Sequence, residues 1–388
     1  MKKAIIFGAG KIARGFVAQL LYNSGYEIVF IDVDKQLIDL LNRQKAYTVH
    51  ILGAEHLNTE VDRYRAVLSY ELDTIAKEME TAALLFTAAG GNHLSQIGHV
   101  IAAAWDHMNT YPEALNIITC ENWKDAGKTL RSSIEANVNR LSEWQQHGAV
   151  SEGVVMRIAT QPSVDQLKQE PLGVWVQNFW ELPIDASTFR GDISIQGMKL
   201  IEHFGRFLEQ KLYTNNTSNA FIAYYGYLLG YRIVAEAANA PELSGMLDDL
   251  YCEINETLIA ELHALPKEQY RLAEKARAKY ADWQIVDRIE RHAKDPIRKL
   301  GPHDRLIAPA RMALRNGIDP NMMVRAIAAA LYYDESSDEV ACRLQEMRKS
   351  FGVSYILKEI CQLQEEEELF HRILQEIEAL KERGIVHE

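Results

Sequence analysis

The sequence predicts an α/β protein: an N-terminal doubly wound, mostly parallel sheet followed by a mostly α-helical domain. Three observations predict it. Short apolar runs alternate with helical patterns through the first half of the chain. A glycine-rich turn follows the first of those runs, and strand signals nearly vanish after residue 195.

Lys3–Phe7 reads as a buried strand and residues 12–23 carry helical spacing. Residues 27–31 form a second strand and Lys35–Arg43 a second helix. Ala82–Thr87 and residues 115–120 are further strands, each with a helical segment behind it. The apolar runs within residues 154–184 read as strands that finish the sheet or bridge to the next domain. Helical patterns then cover 198–210, 220–237, 242–265, 267–291, 305–315 and 322–333. Residues 353–383 read as a helix pair or one long helix, with Leu363, Phe370, Leu374 and Ile377 as its apolar stripe. The acidic run 365–368 reads as a solvated helix face. Two domains follow, 1–190 and 191–388, each large enough for its own core.

Composition narrows the function classes. Of the 388 residues, 47% are hydrophobic and 25% charged, as in globular proteins. A formal net charge of −12 argues against nucleic acid or an anionic membrane as partner. The apolar run 4–7 is too short for a signal-peptide core, and no stretch approaches the ~18 apolar residues of a membrane span. The four cysteines, Cys120, Cys252, Cys342 and Cys361, form no C-x-x-C pair. That pattern fits a reducing cytoplasm and offers no metal-ligand spacing, and Cys120 reads as a buried strand residue. Monomer and dimer both stay open.

Residues 8–16 read GAGKIARGF directly after the first strand. Gly8, Gly10 and Ala13 fill the G-x-G-x-x-G/A pattern of a dinucleotide-binding, Rossmann-type turn. Gly8 permits the tight turn, Gly10 lets a pyrophosphate approach the backbone, and Ala13 allows close packing of helix on strand. Ala9, Lys11 and Ile12 complete the segment whose N–H groups would face the anion. Asp32 ends the second strand 24 residues past Gly8, near the ~20 expected of the acid that accepts the ribose 2′-OH. A carboxylate there repels a 2′-phosphate, so the expected cofactor is NAD rather than NADP, tempered by the nearby cations Arg14 and Lys35. FAD uses the same fingerprint and is the rival, as is a turn that holds no ligand.

Further segments extend the pattern: TCENW at 119–123, EPLGVWVQNFWELPID at 170–185, KLYTNNTSNA at 211–220 and DPIRKLGPHDRLIAPA at 295–310. Together with the glycine turn, and in this order, they resemble the polyol-specific long-chain dehydrogenases, the mannitol dehydrogenase family. The resemblance implies a Rossmann domain followed by a helical one. It also implies NAD-dependent interconversion of a polyol (phosphate) and a ketose (phosphate), with mannitol 1-phosphate and fructose 6-phosphate as the implied pair. The family's Lys-x-x-x-x-Asn-x-x-His element falls on Lys211 and Asn216, and Asn122 matches its helper asparagine. Asn219 stands where the family has histidine, and the family's Arg-Ile-Val-Pro-Pro segment reads Arg157-Ile158-Ala159-Thr160-Gln161. These departures keep two rivals in play: a hexuronate- or hexonate-type dehydrogenase of the same family, and a catalytically impaired nucleotide-binding regulator.

The chemistry suits the residue types. Alcohol oxidation needs a base for the hydroxyl proton. Lys211 serves only if burial lowers its pKa from ~10.4 towards neutrality. Asn122, Asn216 and Asn219 offer amide donors to a developing alkoxide. No metal is required. The plainer readings are a surface lysine, and helix capping by Asn215, Asn216 and Asn219. The basic cluster Arg291, His292, Lys294, Arg298 and Lys299 either attracts a substrate phosphate or pairs with the acidic C-terminal helix.

Overall fold

The computed structural model describes residues 2–121, 125–160 and 162–387. The chain divides after Phe204 into two compact units.

Six parallel strands build the large sheet of the first unit: β1 (Lys3–Phe7), β2 (Glu27–Asp32), β3 (Tyr64–Leu68), β4 (Ala82–Thr87), β5 (Leu115–Thr119) and β6 (Gly148–Glu152). Their spatial order is β3-β2-β1-β4-β5-β6. Side chains alternate between two apolar layers. Ile6, Phe30, Leu84 and Phe86 point into one, and Ile5, Val29, Leu85 and Ile117 into the other. A sheet covered on both faces needs strands that are apolar throughout, which is why β1, β2, β4 and β5 were legible in the sequence. β3 (YRAVL) and β6 (GAVSE) mix polar with apolar residues and were missed. The strand order reverses between β1 and β4. The carboxyl ends of these strands, where Gly8 and Ala88 follow, are the switch point at which such sheets bind ligands.

The run 154–184 departs from expectation. Residues 154–158 form no regular strand. Val174–Val176 instead joins Tyr47–Ile51 and Thr59–Val61 in a three-stranded sheet, and Leu182–Asp185 pairs with Met198–Ile201 in a two-stranded one. Met198–Ile201 is therefore strand, and the helix read over 198–210 begins only at Phe204.

The second unit is helical. Phe204–Lys211 runs through a π-helical turn, Leu212–Asn216, into Thr217–Leu228, most of which is buried. The apolar helix Asn321–Leu331 packs across it. Two expected helices are broken. Gly230, at φ +89°, separates Thr217–Leu228 from Val234–Asn239, and residues 281–288 separate Pro266–Tyr280 from Ile289–Ala293. The C-terminal segment is a pair, Val353–Glu359 and Glu368–Glu382, preceded by the unread helix Glu339–Phe351. Leu363, Phe370 and Ile377 are buried as expected. The acidic run is solvated as expected but lies at a helix start and not along a face: residues 365–367 form the turn before the last helix and Glu368 opens it, with Glu367 paired to Arg311 at 2.8 Å and Glu368 to Arg372 at 2.7 Å. Carboxylates at a helix N-terminus also favour the helix dipole. No described helix is long and apolar enough to cross a membrane.

Candidate active site

The glycine turn is shaped by contact on one side and space on the other. Gly8 adopts φ +102°, and a Cβ there would stand 2.6 Å from the Ala88 carbonyl oxygen. A Cβ on Gly10 would meet nothing within 4 Å, so that face of the turn is open to an approaching group. Ala13 is fully buried, and the following Gly15 packs so tightly that a Cβ would lie 2.8 Å from Val174 and Val176. Lys11 and Ile12 are half-buried at the helix start. Asp32 faces the turn: Oδ2 accepts the Ala9 N–H at 2.7 Å and Oδ1 the Asp34 N–H at 3.0 Å. A half-exposed carboxylate beside open backbone fits the adenosine ribose and diphosphate of a dinucleotide.

The two cations expected to temper the NAD preference are engaged elsewhere. Arg14 is buried, donates to the Ala9 carbonyl and is held below its ordinary pKa by burial. Lys35 is exposed and pairs with Asp39 at 3.0 Å.

Asn122 lies outside the described residues. Its neighbour Glu121 is buried and accepts from Thr87 Oγ1 at 2.7 Å, Cys120 N at 3.0 Å and Ala89 N at 3.3 Å. It ties the ends of β4 and β5 together, and burial raises its pKa. Cys120 is buried, its thiol raised well above the ordinary value by burial and by Glu121. Arg157 was noted only as a departure from the family pattern, yet it is a buried cation. It donates to Gly15 O at 2.8 Å and Gln19 Oε1 at 2.6 Å and stacks over Phe16 and Trp180. Burial pushes it down to about 9.

In the helical unit Lys211 ends a helix and enters the π turn. A π turn closes residue i onto i+5, so Lys211 and Asn216 fall on one side; on an α-helix five residues would set them ~140° apart. Three buried side chains brace this turn. Gln269 Nε2 donates to Thr214 Oγ1 and Asn255 Oδ1, each at 3.0 Å, and the Tyr280 hydroxyl donates to Asn215 O at 2.9 Å. Burial, with Lys279 and Arg305 close by, pushes the Lys211 ammonium down to about 8. Lys279 is also brought to about 8 by burial.

The capping reading of the asparagines fails. The helix continues through them, and Asn216 makes no side-chain cap bond. Asn219 is buried, and its amide nitrogen lies 2.7 Å from His292 Nδ1. His292 Nε2 in turn lies 2.7 Å from Asp287 Oδ2. Sequence reasoning placed His292 only in the basic cluster and missed Asp287 altogether, because they come from a segment some 70 residues downstream.

Asn219 and His292 line a cavity of about 440 Å³ with Arg291, Lys294, Arg298, Lys299 and Arg305. Its described ion pairs are local: Arg291 with Asp287, Arg298 with Asp295 and Asp304, and Arg305 with Asp304. The acidic C-terminal run pairs with Lys358, Arg311 and Arg372 instead. Arg291, Lys294, Arg298 and Arg305, joined by Lys299 when it is protonated, outnumber Asp287, Asp295 and Asp304 and leave the cavity cationic. Lys299 is buried, donates to His292 O at 2.5 Å, and is pushed down to about 7 by burial and by Arg305 and Arg298. Among the described residues no three His, Cys, Asp or Glu side chains converge as metal ligands.

A parallel sheet with a dinucleotide-type glycine turn, followed in the chain by a helical unit, is the architecture of a dehydrogenase. Residues 2–197 match the mannitol dehydrogenase Rossmann domain and residues 203–381 the mannitol dehydrogenase C-terminal domain, so the chain belongs to the mannitol dehydrogenase family. It is 32% identical to a mannitol-1-phosphate 5-dehydrogenase of Thermoanaerobacter pseudethanolicus, over 98% of this chain and 99% of that protein. It is 34% identical to the Bacillus subtilis protein of the same name, over 96% and 99%. In fold it is similar to Pseudomonas fluorescens mannitol 2-dehydrogenase, solved with NAD and D-mannitol: TM-score 0.73, 16% identity, 99% of this chain and 92% of that one. A D-sorbitol dehydrogenase gives TM-score 0.80 at 14% identity, covering 98% and 93%.

Proposed function

We propose that the protein is an NAD-dependent oxidoreductase that interconverts a polyol phosphate and a ketose phosphate, with mannitol 1-phosphate and fructose 6-phosphate as the pair. The observation that carries the chemistry is the π turn that brings Lys211 and Asn216 to one side of the helix, in surroundings whose burial lowers the lysine to about 8. The names of the full-length relatives support the substrate. The free cysteines support a reducing cytoplasm as its place of work.

The residues divide the work. Gly8 to Ala13 and Asp32 hold NAD, which when bound supplies the hydride acceptor. Lys211, as the neutral amine, takes the hydroxyl proton in oxidation and returns it to the ketone oxygen in reduction. Asn216 donates an amide N–H to that oxygen as charge builds on it, worth ~2.7–4 kcal/mol where such a donor is fixed. The cationic cavity takes the phosphate, with Lys294 and Arg298 at its rim.

A carboxylate would suit the same charge, which keeps a hexonate or hexuronate substrate as the second reading. The experiment is a nicotinamide absorbance assay over hexitols, hexitol phosphates and hexonates, with Lys211→Ala and Lys294→Gln/Arg298→Gln variants. Turnover of the phosphate ester, lost in Lys211→Ala, is expected. The double variant should raise its KM ten- to a hundredfold while sparing unphosphorylated hexitol, since charged hydrogen bonds are worth ~1.5–3 kcal/mol. Turnover of hexonates alone would replace the phosphate reading. NAD binding with no turnover on any substrate would make the protein a regulator.

A further inference from the structure

Asn219 cannot titrate, but the group behind it can. Asn219, His292 and Asp287 form a file of three side chains joined by two 2.7 Å contacts. Each joint constrains the next. The Asp287 carboxylate can only accept, so His292 Nε2 carries a proton and donates it. In the neutral ring Nδ1 is then an acceptor, and it takes an N–H from the Asn219 amide. When the ring gains a second proton from solvent, Nδ1 becomes a donor. An amide nitrogen cannot accept it, so the carboxamide must turn and present Oδ1 to the ring.

The surrounding structure holds the ring still while this happens. Tyr224 Oη donates to Ala293 O at 2.7 Å and Lys299 Nζ to His292 O at 2.5 Å, which fixes the backbone that carries the imidazole. Arg291 clamps both Asp287 oxygens at 3.1 and 3.2 Å, and Lys279 bears on the same carboxylate. Burial alone would raise Asp287, but His292 and Arg291 bring it below the usual carboxylate range, so it stays an acceptor. The charged groups around the ring are Asp287, Arg291, Asp295, Arg298, Lys299 and Arg305.

We infer that His292, oriented by Asp287, is a positioning residue that sets which end of the Asn219 carboxamide faces the substrate. With the ring neutral, Asn219 leaves its oxygen to the cavity, an acceptor suited to an alcohol O–H. With the ring protonated it offers N–H groups, donors suited to a carbonyl oxygen. Lower pH therefore favours binding of the ketose form and higher pH binding of the polyol form. This assignment rests on the proposed function for its substrate, but the switch itself can be read without one.

Two measurements test it. In the ligand-free protein, labelled at histidine ring and asparagine amide nitrogens, the Asn219 amide resonances should shift with the same midpoint as the His292 ring on pH titration. Asp287→Asn should move both together. An Asn219 signal that ignores the His292 titration would overturn the inference, whatever the substrate. In turnover, the KM of the ketose phosphate should rise as the pH is raised, by at most about tenfold per unit, the limit for a single proton. His292→Gln should flatten that step and keep the Lys211 limb of the kcat profile, and the exchange Asn219→His with His292→Asn should restore a titrating step. A His292→Gln profile that superimposes on the wild type would refute the role. If the wild type turns over no polyol or ketose phosphate, the proposed function fails while the resonance experiment still decides the switch.

Discussion

Lys211 and Asn216 bracket a π-helical turn, and that turn brings residues five apart onto one side of the helix. The spacing that looks arbitrary on an α-helix thus becomes a shared face. Gln269 and Tyr280, with Asn255 behind Gln269, hold the irregular turn through Thr214 and Asn215, so the pair is supported by two further helices and not by its own segment alone.

A pH profile should expose the lysine. Lys211 sits at about 8 because burial and the nearby Lys279 and Arg305 disfavour its charge. Oxidation needs the neutral amine, so kcat/KM for the polyol should climb with pH and level off above about 8. Reduction needs the ammonium and should decline over the same window. Lys211→Met should remove both limbs and cost about 10²–10⁴ in rate, the usual worth of general acid–base catalysis. An unchanged profile in the variant would assign the proton transfer to another group.

The two glycines of the turn should fail in different ways. Gly8→Ala forces a Cβ to within 2.6 Å of Ala88 O at φ +102° and should lower the melting temperature. Gly10→Ala has room for its methyl group and should melt within a degree or two of the wild type, as surface substitutions within ~0.5 kcal/mol do. That methyl group nevertheless occupies the open face, so NADH affinity, followed by fluorescence titration, should fall sharply in Gly10→Ala. Full affinity there would place the diphosphate elsewhere.

Asp32→Ala separates the two nicotinamide cofactors. Loss of a charged acceptor for a ribose hydroxyl costs ~1.5–3 kcal/mol, roughly ten- to a hundredfold in NADH affinity. NADPH binding should weaken less, since the carboxylate opposes its extra phosphate. The variant also frees the Ala9 N–H, which the wild-type Asp32 accepts at 2.7 Å. Equal losses for both cofactors would reduce Asp32 to that turn-bracing role.

Lys299 links the cavity to stability. Its folded pKa, about 7, lies below the ~10.4 of an unfolded lysine, so between these values the unfolded chain binds more protons. Stability from this group therefore rises with pH across that window, and the buried charge costs most at pH 7 and below. Lys299→Met removes the charge. Its melting temperature relative to wild type should be highest at pH 6 and fall steadily towards pH 9. A difference independent of pH would mean that Lys299 stays charged throughout.

The sequence by itself determined the half of the protein governed by local rules. Apolar runs marked β1, β2, β4 and β5, because strands buried on both faces must be apolar along their length. The glycine turn and Asp32 followed from the steric needs of a strand-to-helix crossing, and Lys211 and Asn216 from a resemblance. Tertiary structure decided the rest. β3 and β6 are strands because neighbours in the sheet supply their hydrogen bonds, whatever their composition. Met198–Ile201 is a strand for the same reason, through its pairing with Leu182–Asp185. The lysine's lowered pKa, and the file from Asn219 through His292 to Asp287, depend on burial and on contacts between segments far apart in the chain, and no local pattern records either.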